Sequence, residues 1–173
     1  MRSVNLSLAF LLLTLTGTRA GDLAALGDRV TAFCKEHLNK TVGSGECAAL
    51  AFQALKAAGA KTRGGPDRPE KGDYVWGRQV YMIEATANGP KETGKFQEIR
   101  RGDIMQFRNV KFGATGGFHH HTAVVADVDE AAGKIQTYQQ NIGGKRFVVE
   151  GHPNLKRLAQ GWIRFYRPIP AAR

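Results

Sequence analysis

Apolar residues recur three or four apart from Leu23 to Leu38, at Leu23, Leu26, Val30, Phe33, Cys34 and His37. That spacing predicts an amphipathic helix, with Asp22 able to cap it. Val42-Gly43-Ser44-Gly45 breaks the pattern. A second helix is expected from Glu46 to Ala58, with Cys47, Leu50, Ala51, Ala54, Leu55 and Ala58 on its apolar side and Gly59 ending it. Lys61 to Gly72 reads as a loop, rich in glycine, proline and charge. Tyr74 to Gly77 and Val80 to Ile83 read as extended, and Ala87 to Lys95 as another loop.

Short strands then take over. They are expected at Ile104–Phe107, His121–Val128, Ile135–Gln140, Arg146–Val149 and Trp162–Tyr166, separated by turns at Gly102-Asp103, Asp129 to Gly133 and Ile142 to Gly144. Within the second, Ala123, Val125 and Asp127 should oppose Thr122, Val124, Ala126 and Val128. His119 and His120 fall before it, in a loop. Helices followed by an antiparallel meander make an α+β domain.

The first twenty residues need a separate reading. MRSVNLSLAFLLLTLTGTRA has an early arginine, an apolar run and Thr18-Arg19-Ala20. It reads as a signal peptide over 1–20, leaving one domain over 21–173. A secreted or periplasmic protein follows, with no membrane span after cleavage. The formal charge of +10 falls to +8 once Arg2 and Arg19 are removed. Such a protein is drawn to anionic polymers, with a cell-wall or peptide-bearing polymer as the expected substrate. Basic residues are scattered without interleaved aromatics, so nucleic acid is an unlikely partner. No second module is visible, and a monomer is expected.

Two cysteines admit three readings of Cys47: nucleophile, half of a disulfide with Cys34, or small buried hydrophobe. The first needs a thiolate, which a helix N-terminus and an imidazolium both favour. Cys47 sits in the first turn of the second helix. His121 opens the most apolar strand, HTAVV, and is a well-mounted base. Gln139 and Asn141 lie two apart on the next strand, and either amide could orient it. Glu46, Trp76 and His120 are candidates for substrate contact. His119-His120-His121 alternate in direction along a strand, which disfavours a shared metal ion. No metal or cofactor is called for.

The order GECxxLA, YVWG, GDIMQF, HTAVV and YQQN resembles the papain-like CHAP and NlpC-type peptidase domains. It is more similar still to the cysteine-proteinase-fold domain at the C-terminus of fungal actin-patch adaptor proteins. The resemblance spans about Leu23 to Pro168. It implies a papain-like fold in which N-terminal helices pack on an antiparallel sheet. It implies Cys47 as nucleophile, His121 as base and Asn141 or Gln139 as orienting residue. A carboxylate is common where Gln139 stands, and a large aromatic where Ala48 stands. Two functions follow: an exported cysteine amidase or endopeptidase, acting on peptidoglycan or another wall polymer, and a non-catalytic binding module on the same fold.

Overall fold

The computed structural model describes residues 20–62, 74–114 and 116–172. Most of the expected signal peptide, and all but two residues of the loop expected from Lys61 to Gly72, lie outside them. Two helices, α1 (Ala20–Glu36) and α2 (Cys47–Ala58), precede seven strands. These are β1 (Arg78–Thr86), β2 (Gly89–Gly94), β3 (Ile104–Phe112), β4 (Gly117–Asp129), β5 (Lys134–Gln139), β6 (Val149–Gly151) and β7 (Leu158–Arg167). They form one sheet in the order β2-β1-β7-β3-β4-β5-β6, and neighbouring strands run antiparallel. The α+β architecture is as expected from the residue pattern.

The two helices form where expected because their apolar stripes have a core to face. α2 is built largely from alanine, leucine and lysine, which lose little side-chain freedom in a helix. It buries Leu50, Ala51, Ala54, Leu55 and Ala58, and stops at Gly59, whose φ of 76° places it in the left-handed region. The small side chains bring it close to α1, which contributes Leu26, Val30 and Cys34.

The sheet separates two cores. Ile104, Val124, Ala126, Tyr138 and Tyr166 join the helices and Trp76 on one face. Met105, Phe107, Ala123, Val125, Ile163 and Phe165 fill the other, with Tyr81, Ile99 and Leu155. Strand alternation assigns each residue to its side. Val128 departs from the expected alternation and packs on the second core. The β4–β5 register shifts between Val125 and Asp127, and the extra residue of this bulge reverses the phase beyond it.

Three strand expectations need correction. Gly89–Gly94 is a strand pairing with β1, although it reads as a loop. Every one of its residues is exposed at the sheet edge, so no apolar alternation marks it, and Pro90 and Lys91 suit a protected edge. The fourth expected strand, Arg146–Val149, forms instead at Val149–Gly151 against the end of β5. β4 begins at Gly117, so His119 and His120 belong to the strand rather than to a loop.

Asp103, expected as a turn residue, does more. It is fully buried, accepts the Arg100 N–H at 2.8 Å, and takes two hydrogen bonds from Arg167, from Nε at 2.6 Å and Nη2 at 3.0 Å. The turn before β3 is thereby tied to the end of β7. Removing one partner strands the other charge in a desolvated place. Arg167→Ala is expected to cost about 3 kcal/mol, read from urea unfolding at neutral pH. A change within about 0.5 kcal/mol would mean the pair is not what joins the two elements.

Candidate functional site

Cys47 is the first residue of α2 and is half-buried. The loop before it is held by Gln140, which is wholly buried. Its Oε1 accepts the Val42 N–H at 3.1 Å, and its Nε2 donates to Val42 O at 2.9 Å and Glu46 O at 2.7 Å. A single amide just beyond β5 thus sets the path of the chain into the cysteine. The YQQN motif hinted at this only by holding two glutamines where one was needed.

Glu46 occupies the N-cap position but makes no side-chain cap bond. Its carboxylate is taken by Arg146 at 2.7 Å and by Asn141 Nδ2 at 2.6 Å, and Arg146 also donates to Ser44 O at 2.7 Å. Asn141 therefore does not orient His121. β5 ends at Gln139, and Asn141 stands beyond it with a φ of 58°, so the two-residue alternation no longer applies. Gln139 is the residue that meets His121: Nε2 donates to Oε1 at 3.0 Å, in the interior. The neutral ring then carries its lone pair on Nδ1.

Gly151 on β6 leaves room for that amide. A Cβ at Gly151 would come within 1.9 Å of Gln139 Nε2.

His121 lies with the second core. Its ring stacks on Phe118 at 4.5 Å and stands 5.7 Å from Phe107. Thr122, the next residue, points to the helix side. Its hydroxyl donates to Gln106 Oε1 at 3.1 Å, where Trp76 Nε1 also donates at 3.0 Å, while Gln106 Nε2 donates to His121 O at 3.1 Å. Trp76, a candidate for substrate contact that aromatic composition alone favours as core, is 1% exposed and is a wall of this network. His120 is exposed and lies against Arg108 across the strand pair.

The neighbour that hydrogen-bonds Cys47 is Thr122. Burial pushes the Cys47 thiol above its ordinary range. Bonds from the main chain of Thr122 and of Ala48 pull it down, and the Glu46 carboxylate pushes it up again. The Thr122 hydroxyl helps a thiolate only when its hydrogen turns from Gln106 to the sulfur. Burial also holds His121 below the usual imidazole range, and the bond to Gln139 only partly offsets it. Among the described residues no hydrogen bond joins Cys47 to His121. Cys34 is a buried free thiol, raised by burial, and Cys47 is free as well, so the disulfide reading does not describe this structure. No described cluster of three or more His, Cys, Asp or Glu residues is placed to hold a metal. No described helix is long and apolar enough to cross a membrane.

Residues 23–172 match the model of the AIM3/BBC1 cysteine proteinase-fold domain, and the chain belongs to that family. It is 30% identical over 160 residues to altered inheritance of mitochondria protein 3 of Debaryomyces hansenii, across 84% of this chain and 16% of that protein. Among solved structures it is similar to Ly7917 crystallised with the hydrolysing product of MDP, with a TM-score of 0.50 and 19% identity. That match covers 82% of this chain and 62% of the other. The endolysin LysIME-EF1 matches at a TM-score of 0.47 and 18% identity, over 82% of this chain and 64% of its own. The chain thus spans a sixth of the curated relative and under two thirds of either solved one. The fold is that of papain-like cysteine proteinases.

The family also corrects the expected secreted or periplasmic localisation. The relative is named for the inheritance of mitochondria, a process of the cell interior. An apolar N-terminal run reports hydropathy, and hydropathy alone does not specify export.

Two measurements check the state of His121. Gly151→Ala should displace the Gln139 amide and lower the His121 pKa in an NMR titration, whereas Gln139→Glu should raise it by adding a negative charge. An unchanged pKa in both would mean that Gln139 does not hold the ring. The second is stability against pH. The unfolded chain takes up the proton near the ordinary imidazole value of 6.5, above the folded value. His121 therefore contributes stability that is fully present above 6.5 and lost as pH falls toward the folded value. Urea midpoints should fall more steeply below that point in the parent chain than in His121→Gln.

Proposed function

We propose that this domain is a non-catalytic interaction module, a papain-like fold that binds a partner without cleaving it. The observation that carries the reading is geometric: among the described residues no hydrogen bond joins Cys47 to His121, and the group that holds His121 is a neutral amide. Burial raises the Cys47 thiol against the opposing main-chain bonds of Thr122 and Ala48, and burial lowers the His121 imidazole, so both directions favour the neutral pair. Transfer of a proton from sulfur to ring would place two charges in a poorly solvated site. Gln139, being neutral, offers no charge to stabilise the imidazolium. The family supports the reading, since its curated member is named for organelle inheritance rather than for hydrolysis.

A second reading is favoured by one observation, the hydrogen bond between His121 Nε2 and Gln139 Oε1. With Nε2–H committed to Gln139, the Nδ1 lone pair is free to accept a proton. In that reading the two side chains come into contact, Cys47 passes its proton to His121 and its sulfur attacks an amide carbonyl. His121 then protonates the leaving amine, and water hydrolyses the thioester. The Cys47 N–H at the start of α2 would donate to the oxyanion.

Thiol alkylation against pH separates the two. For an interaction module, Cys47 should label slowly at neutral pH, with an apparent pKa at or above the free-thiol value of about 8.5 and no change in His121→Ala. Rapid labelling well below that pH, abolished in His121→Ala, would establish a thiolate–imidazolium pair and sink the module reading.

A further inference from the structure

The interaction reading leaves open where a partner sits, and the face of the sheet away from the helices carries a feature that neither reading uses. A cavity of about 480 Å³ opens there. Phe107, Phe112 and Phe118 wall it, and Gln139, His152, Asn154 and Arg157 are its polar side chains. Its size and its mixture of aromatic walls with a few polar groups are those of ligand sites. Phe107 is buried, but Phe112 and Phe118 are only partly covered, so aromatic surface faces the opening.

The cavity is joined to the candidate site. Gln139 lines it and holds His121, and Phe118 lines it and stacks on His121. An occupant would therefore touch the same amide and the same ring that orient the imidazole, from the side opposite the helices.

Its charge is one-sided. No carboxylate is among the described residues that line it. Arg157 is exposed at its rim and makes no ion pair among the described residues. The side chain lies over Gly113, where a Cβ would come within 2.9 Å of Nη2, so the absence of a side chain makes room for the guanidinium. The chain as a whole carries a formal charge of +10.

We propose that this cavity is the docking site for an acidic partner segment, which inserts a large apolar side chain between Phe112 and Phe118 and sets a flanking carboxylate on Arg157. The inference rests on the interaction reading and names the partner's chemistry. Shape selects the apolar side chain, because burying it against aromatic walls supplies most of the affinity. Charge selects the flanking residues, because a bidentate carboxylate matches the guanidinium fork.

The test titrates the full chain with acetyl-Glu-Phe-Glu-amide, followed by NMR at the Gln139 side-chain amide and the Gly117 N–H. Saturable shifts at these positions are expected. Acetyl-Glu-Ala-Glu-amide should bind about 10-fold more weakly, for want of the ring. Acetyl-Gln-Phe-Gln-amide should lose up to about 5-fold, for want of the charge. Arg157→Gln, at an exposed position that leaves the fold intact, should lose a similar factor toward the acidic peptide and almost nothing toward the neutral one. No shift at Gln139, equal binding of the phenylalanine and alanine peptides, or indifference to Arg157→Gln would each overturn the proposal. The two readings fail separately. An inert Cys47 with no peptide binding refutes the cavity alone, whereas a reactive Cys47 refutes the interaction module whatever the peptide does.

Discussion

The two-residue alternation of β4 decides what stands beside Cys47. Thr122 faces the helices and His121 faces the second core, although they are adjacent in the chain. Gln106 locks that arrangement by accepting from Thr122 and Trp76 on one side and donating to His121 O. A slip of one residue would exchange the two faces and expose an imidazole in place of a hydroxyl. Because the register is pinned by buried amide bonds, such a slip leaves several polar groups unsatisfied, and each costs on the order of 1–3 kcal/mol.

The site is made from amides more than from charges. Gln106 and Gln140 each meet several partners inside the protein, Gln139 meets His121, and none of the three can supply or remove a proton. This favours one fixed geometry without stabilising an ion pair. Charge is kept to the periphery, where Arg146 and Asn141 hold Glu46 beside the cysteine in a solvated setting.

The same logic ties His121 to the cavity on the face away from the helices. Phe118 and Gln139 belong both to the surroundings of His121 and to the cavity on the far side. A partner seated there would act on the imidazole through contacts already present. The edge strand β2 has no comparable feature: it is short, exposed and carries proline and lysine, which fits a protected edge rather than a binding one.

The sequence by itself determined the two helices, the meander, the placement of Cys47 at a helix start and the nomination of His121 with either Gln139 or Asn141 as its partner. These follow from period, from glycine punctuation and from motif order, all of which are local. The tertiary structure alone decided that Gln139 rather than Asn141 holds His121, that Trp76 is a buried wall, that Asp103 pairs with Arg167 and that β2 is a strand. Each depends on a neighbour far along the chain: the end of β5, a glutamine on β3, an arginine 64 residues away, a partner strand. Periodicity records which face a residue prefers. It carries no record of which distant group will meet it there, or of what burial will do to the charge it can hold.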